Sequence, residues 1–185
     1  MTDAEFLETV LHNQFNRAIL ARIPELQLPD AWLVSGALFQ TVWNTRTKRA
    51  PDFGIRDYDI FYFDTDISWE AEDAAIRRAK ALFRDLGIVV ELRNQARVHL
   101  WYEEKFGKPY PPLTRATDGI DRFLMPCAQV GVNADGVTVY APHGFDDIAA
   151  MIVRPNRTTN FHPDRYREKA LRWQELWPEL TILPA

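Results

Sequence analysis

The sequence predicts a mixed α/β domain, a β-sheet with helices packed on it and a hairpin plus a closing helix toward the C-terminus. Three observations carry that expectation. Apolar periodicities alternate helix, strand, helix, strand, helix, strand through the first half of the chain. The run Tyr58–Phe63 is almost continuously apolar, the pattern of a central strand covered on both faces. With 46% apolar residues and six Trp in 185 residues, the chain can bury one sizeable core. A single domain spanning 1–185 is expected, with a core at about 25–102 and an extension at about 103–185.

Taken in order, residues 2–23 read as one helix. Thr2 or Asp3 can cap it, with Glu5 three after Thr2 as in a capping box, and Phe6, Leu7, Val10, Leu11, Phe15, Ala18 and Ile19 make its buried stripe. Pro24 closes it. A strand at 31–34 ends in Ser35-Gly36, a helix follows over 37–43, and the polar segment 45–56 reads as loop. After the 58–63 strand, Ser68 caps a helix over 69–86. Its acids lie in the first turn and its bases later, and Gly87 stands past its end. A third strand is expected at 88–93, with Asn94-Gln95 as a turn and 98–102 as its hairpin partner. Residues 103–116 read as loop and 117–124 as a short helix. A second hairpin joins 128–132 to 137–140 through Asn133-Ala134-Asp135-Gly136. Short and long helices follow at 145–151 and 164–177, the latter between Pro163 and Pro178.

The net charge of −4 disfavours a surface built for nonspecific nucleic-acid binding, although a local basic groove would admit a nucleic-acid substrate. Cys127 is the single cysteine and reads as a small buried apolar residue. The start MTDAEF carries acids where a secretory signal carries lysines, and no apolar run approaches the ~18 residues that span a bilayer. The expectation is a cytoplasmic protein with no membrane partner; the oligomeric state stays open.

The chemistry concentrates between Trp32 and Glu91. Asp57 and Asp59 are two apart, so on a strand they share a face, where their charges repel unless a cation lies between them. A hard divalent metal such as Mg²⁺ or Mn²⁺ suits such oxygens and gathers phosphates. The alternative is that both acids point into solvent at the strand's start. Glu91 lies within the apolar run Ile88–Leu92, where an acid calls for a partner. Either it joins Asp57 and Asp59, or it pairs with Arg77, Arg93 or Arg97. The Ser35-Gly36 turn lets backbone approach a phosphate at the N-terminus of the next helix.

Arg93 shares the face of Glu91 and is a candidate phosphate contact, as are Arg97 and His99. Arg46, Lys48 and Arg49 read either as a lid over a nucleotide or as a solvated loop. Arg154, Asn156, Arg157 and Asn160 read as a polar connector or as contacts to a second substrate. The aromatics Trp101, Tyr102, Phe106 and Tyr110 would pack on one another or stack a base. His12 reads as exposed and His143 as a turn residue. No histidine pair has zinc spacing, and no hydrolase elbow is present.

A strand ending in Gly36, a helix, the Asp57-Tyr58-Asp59 strand and a later acid resemble the nucleotidyltransferase superfamily of the polymerase β type. The runs SGALFQTVWN, IRDYDIFYFD, VELRNQARVHLWY, DGIDRFLMPCAQVGV and APHGFDDIAAMIVRPN are similar, over about 30–178, to a bacterial family of small nucleotidyltransferase-like proteins. The resemblance implies a nucleotidyltransferase fold and Mg²⁺-dependent transfer of a nucleotidyl group from an NTP to a hydroxyl of an unidentified acceptor. It implies Asp57, Asp59 and Glu91 as catalytic and metal-binding residues, with Glu91 assisting deprotonation. Ser35 and Gly36 would hold the triphosphate, helped by Arg93. Ala37 stands where the superfamily carries Gly or Ser, and the Gly36–Asp57 gap is longer than usual. These departures bear on the phosphate turn rather than on the acids. The alternative of another class is a degenerate nucleotide-binding or protein-interaction domain of the same fold.

Overall fold

The computed structural model describes residues 1–157 and 161–185. Helices α1 (Asp3–Val10) and α2 (Gln14–Arg22) and a 3₁₀ turn (Ile23–Leu26) lead into strand β1 (Trp32–Val34). Helix α3 (Gly36–Arg46), strand β2 (Tyr58–Tyr62), helix α4 (Trp69–Leu82) and strand β3 (Val90–Asn94) follow. After a 3₁₀ helix (Gln95–Leu100) come α5 (Tyr102–Phe106), α6 (Ala116–Ile120), β4 (Gly131–Asn133) and β5 (Val139–Tyr140). The chain closes with α7 (Asp146–Ala149), β6 (Ile152–Val153), α8 (Pro163–Leu176) and β7 (Thr181–Ile182).

The main sheet is ordered β3-β2-β1-β4-β5, and β2–β3 is its parallel pair. A parallel pair needs a crossover, which α4 supplies. Its Ser68 cap accepts from the Ala71 amide, and Ala75, Ala79 and Phe83 bury the apolar stripe. Leu33, Ile60, Leu92 and Val132 are register partners, and they point into a core shared with α1–α4. The other face carries Trp32 and Val34, Asp59 and Phe61, and Glu91 and Arg93. Part of that face is covered by α6, whose Ile120 approaches so closely that a Cβ on Gly131 would stand 2.8 Å from its Cδ1.

Two expectations fail for identifiable reasons. The N-terminal helix is broken at Asn13, which is fully buried rather than part of a continuous stripe. Asn13 Oδ1 accepts from the Phe15 amide to start α2, and its Nδ2 donates to Thr41 Oγ1 (3.2 Å) and Tyr58 Oη (3.3 Å). The hairpin after residue 94 does not form. Asn94 Oδ1 accepts from the Asp64 (3.0 Å) and Ala96 (3.1 Å) amides, turning the chain into the 3₁₀ helix. Glu72 accepts from the Asn94 amide (2.9 Å) and pairs with Arg97, so 95–100 is tied to α4 and β3 remains an edge strand.

The later hairpin forms, with Asp135 accepting from the Val137 (2.9 Å) and Thr138 (2.8 Å) amides and Gly136 at φ 75°. Helix α8 is anchored by aromatic edges, Trp173 on Phe39 (5.0 Å) and Trp177 on Trp43 (5.5 Å). Trp177 Nε1 donates to Asn44 Oδ1 (2.8 Å). The small parallel pair β6–β7 was not signalled by its two-residue strands. Cys127 is buried as expected, and burial pushes its thiol up. Among the described residues, no helix is long and apolar enough to cross a membrane.

Candidate active site

The turn after β1 supplies the first part of the site. Ser35 adopts φ 57° and ψ −118°, close to the first central position of a type II′ turn, where glycine is favoured. Holding a serine there costs on the order of 1–3 kcal/mol. The Ser35 amide is fixed by Val130 O (2.9 Å), and its carbonyl accepts from Leu38 (2.9 Å). The Gly36 and Ala37 amides therefore open the helix without intrahelical acceptors. Gln40, 7% exposed, brings Nε2 to 3.3 Å from where a Cβ on residue 36 would stand, and its Oε1 has no partner.

The acids come next. Val34 of β1 opposes Asp59 of β2, and Asp59 is the register partner of Glu91 on β3. Asp57 is two residues earlier and shares the face. Burial pushes the Asp59 carboxyl up to about 7, and the neighbouring charges of Asp57 and Glu91 push in the same direction. The three acids named from sequence therefore act on one another across adjoining strands. Glu91 differs from expectation in one respect. It lies exposed on an edge strand, where solvent rather than a partner surrounds it.

Two cations face these acids. Arg93 is exposed beside Glu91 on the same face. Lys169 reaches the site from α8, one turn before Trp173, whose ring lies 5.9 Å from its Nζ. Burial holds the Lys169 ammonium below its usual range, while Asp59 and Asp57 pull it back up. Asp59 and Lys169 are each partly buried, so both charges lose part of their hydration there. Lys169 was not anticipated because a lysine on an amphipathic helix reads as solvated. The signal was its i, i+4 spacing to Arg165 on one side and to Trp173 on the other.

Beyond Phe61, the same face opens into a cavity of about 220 Å³ whose walls include Trp101, Phe106 and Tyr110. Of the two readings of the aromatic cluster, mutual packing is the one seen. Tyr102 packs on Phe106 (4.7 Å) and Tyr110 (4.4 Å), and the rings also wall an open space.

Several other candidates are engaged elsewhere. Arg97 is bound to Glu72, so it is a structural cation and not a phosphate contact. Arg77 pairs with Asp73 (3.0 Å). Arg49 pairs with Glu179 (2.9 Å), and it stands with Arg46 and Lys48 at the C-terminal end of α3, roughly 16 Å from the Gly36 turn. They form no lid over that turn. Arg154 pairs with Asp147 (2.6 Å), and Asn156 donates to the Asp121 (3.0 Å) and Phe123 (2.8 Å) carbonyls, so both hold the connector together. Asn160 lies outside the described residues.

Among the described residues, no three His, Cys, Asp or Glu side chains converge as a ready-made metal cage. Mg²⁺ does not demand one, being held ordinarily by one or two carboxylates, waters and substrate phosphates. Asp57 and Asp59 have that donor chemistry.

A family model described as "Nucleotidyltransferase" matches residues 21–182 of this chain. No curated protein matches it. Among solved structures, one described as an NMR structure that "reveals a CCA-adding enzyme head domain" superposes with a TM-score of 0.76 at 25% identity. The match covers 98% of this chain and 96% of the other. The mixed sheet with its flanking helices has the architecture of that head domain.

Proposed function

This chain belongs to the nucleotidyltransferase family, and from that premise we propose that it moves a nucleotidyl group from an NTP to an acceptor hydroxyl in a Mg²⁺-dependent reaction. One observation carries the proposal. Asp59, flanked by Asp57 and in register with Glu91, sits where burial and two like charges disfavour its own charge. A purely structural site would replace or pair such a group.

Asp57 and Asp59 would hold the metal, which when bound offsets charge on the phosphate oxygens. The residues of the chain do the rest. The Gly36 and Ala37 amides at the mouth of α3 orient the β- and γ-phosphates. Arg93 and Lys169 counter the charge that develops on the transferring group. Glu91, exposed beside Asp59, accepts the proton of the attacking hydroxyl. The new bond joins the acceptor oxygen to the α-phosphorus, the α–β anhydride bond breaks, and pyrophosphate leaves.

The test is a screen of the four NTPs against pools of hydroxyl compounds with Mg²⁺, read as pyrophosphate release and as a mass gain on the acceptor. Both signals are expected from the wild type, with a loss of about a thousandfold in Asp59→Asn. Equal turnover by Asp59→Asn contradicts the assignment. One observation favours a second reading. Lys169 already offsets part of the Asp57–Asp59 charge without metal, which suits a nucleotide-binding domain without turnover. Such a protein binds NTP in the same assay and releases no pyrophosphate.

A further inference from the structure

The cavity beyond Phe61 has a lining at odds with the rest of the molecule. The protein carries a net charge of −4. Yet four cations (Arg93, Arg122, Arg165 and Lys169) line this cavity, and no carboxylate does. Among the described residues, Arg93, Arg165 and Lys169 make no ion pair, whereas arginines such as Arg22, Arg49, Arg97 and Arg154 do. Three cations without an ion-pair partner give this hollow a positive potential that favours an anion within it.

The remaining wall is aromatic. The Arg165 guanidinium stacks 4.0 Å from the centre of the Phe106 ring, which leaves its N–H edge free for a planar anion. Phe61 lies parallel to Phe123 at 5.5 Å, the stacked spacing that a further flat ring can extend. His162 also lines the space, and its Nε2 has no partner. Burial, with Lys108 and Arg165 nearby, lowers its pKa, so it offers a neutral ring to a hydrogen-bonding group. A hollow of about 220 Å³ has room for one planar ring system with its substituents rather than for a folded polymer.

Position then decides which substrate enters. Because β1 and β2 are antiparallel with Val34 opposite Asp59, the Ser35–Gly36 turn lies at the Asp57 end of the acids. Phe61 and the cavity lie at the other end, about 7 Å further along β2. In-line displacement requires the attacking oxygen to approach opposite the departing pyrophosphate. If the triphosphate is held at the turn, the attacking group arrives from the cavity side.

We propose, resting on the transfer reading above, that this cavity is the acceptor site and takes a hydroxyl-bearing aromatic compound that carries a phosphate or carboxylate. Its ring lies among Phe61, Trp101 and Phe106, and its anion meets Arg165 and Arg122. Its hydroxyl oxygen bonds to the donor's α-phosphorus as the α–β anhydride bond breaks. The hydroxyl proton passes to Glu91, and pyrophosphate departs past the turn.

The full-length protein is titrated with adenosine 5′-monophosphate, which combines a flat ring, a phosphate and hydroxyls, while ¹H–¹⁵N spectra follow the Trp101 indole. Adenosine and inorganic phosphate serve as half-probes. Donor occupancy is set with Mg²⁺ and α,β-methylene-ATP. The expected result is a Trp101 shift with the monophosphate that persists when the donor analogue is bound. Either half-probe alone binds at least about tenfold more weakly. Arg165→Ala, an exposed position, weakens the monophosphate about tenfold and leaves the donor analogue unaffected. In Asp59→Asn the donor analogue is lost and the monophosphate stays. Competition between analogue and monophosphate overturns the acceptor assignment, as does an absent Trp101 response or equal affinity in Arg165→Ala. If the monophosphate response is intact and the Mg²⁺-dependent analogue never binds, the transfer reading fails and takes the acceptor role with it.

Discussion

Strand β2 separates two regions built on opposite principles, one residue apart. Tyr58, Ile60 and Tyr62 face the helices and are buried in the main core. Asp57, Asp59 and Phe61 face the other way, toward charge, a cavity and the N-terminal half of α8. The first face gains from removing apolar surface from water. The second face does the reverse, gathering like charges in a partly dry space at a cost in stability. A strand alternates its faces without effort, so five residues suffice to fix the acids rigidly to the core.

Breaking the core face has the largest predicted effect on stability. Ile60→Ala removes a fully buried side chain and is expected to cost about 4 kcal/mol in urea unfolding, while the molecules still folded keep their nucleotide affinity. Next is the tie that holds β3, and with it Glu91 and Arg93, against α4. Glu72→Ala leaves the partly buried Arg97 guanidinium unpaired and the Asn94 amide without its acceptor. A loss of about 3 kcal/mol is expected by the same measurement.

The open face is predicted to respond in the opposite sense. The Asp59 carboxyl titrates near 3.8 in an unfolded chain and at about 7 in the folded protein. Between those values the folded state holds a proton that the unfolded state has released. The contribution of Asp59 to metal-free stability is therefore greatest below the lower value and declines as pH rises toward 7. Asp59→Asn should flatten that decline and raise stability at pH 8 by on the order of 2 kcal/mol, measured by thermal or urea unfolding in chelator. The smallest effect sharpens the boundary of the site. Arg46→Ala, exposed at the far end of α3, should leave both stability and NTP affinity within about 0.5 kcal/mol of wild type.

Much of this contrast was readable from residues alone. The alternation Asp57-Tyr58-Asp59-Ile60-Phe61 states which side chains share a face, and Glu91 lies on the strand that neighbours Asp59. What the sequence could not give is which strand ends at the sheet's edge. The apolar run Ile88–Leu92 reads as interior, yet it lies at the edge of the sheet, and Glu91 is exposed. Residues 98–102 look like a strand because Val98 and Leu100 alternate. The hydrogen bonds of Asn94 and the Glu72–Arg97 pair, spanning 25 residues, decide otherwise. Lys169 and Arg165 come from helix α8 more than a hundred residues after Asp59. Their role depends on the packing of Trp173 and Trp177 against α3, and no local pattern encodes that.

The account's central claim is that Asp57, Asp59 and Glu91 share one cation-binding face next to the Gly36 turn. Paramagnetic broadening by Mn²⁺ in the presence of α,β-methylene-ATP, read in ¹H–¹⁵N spectra, tests it directly. Broadening should centre on residues 35–37, 57–59 and 91 and should vanish in Asp59→Asn. Broadening centred elsewhere, or unchanged in Asp59→Asn, contradicts the claim.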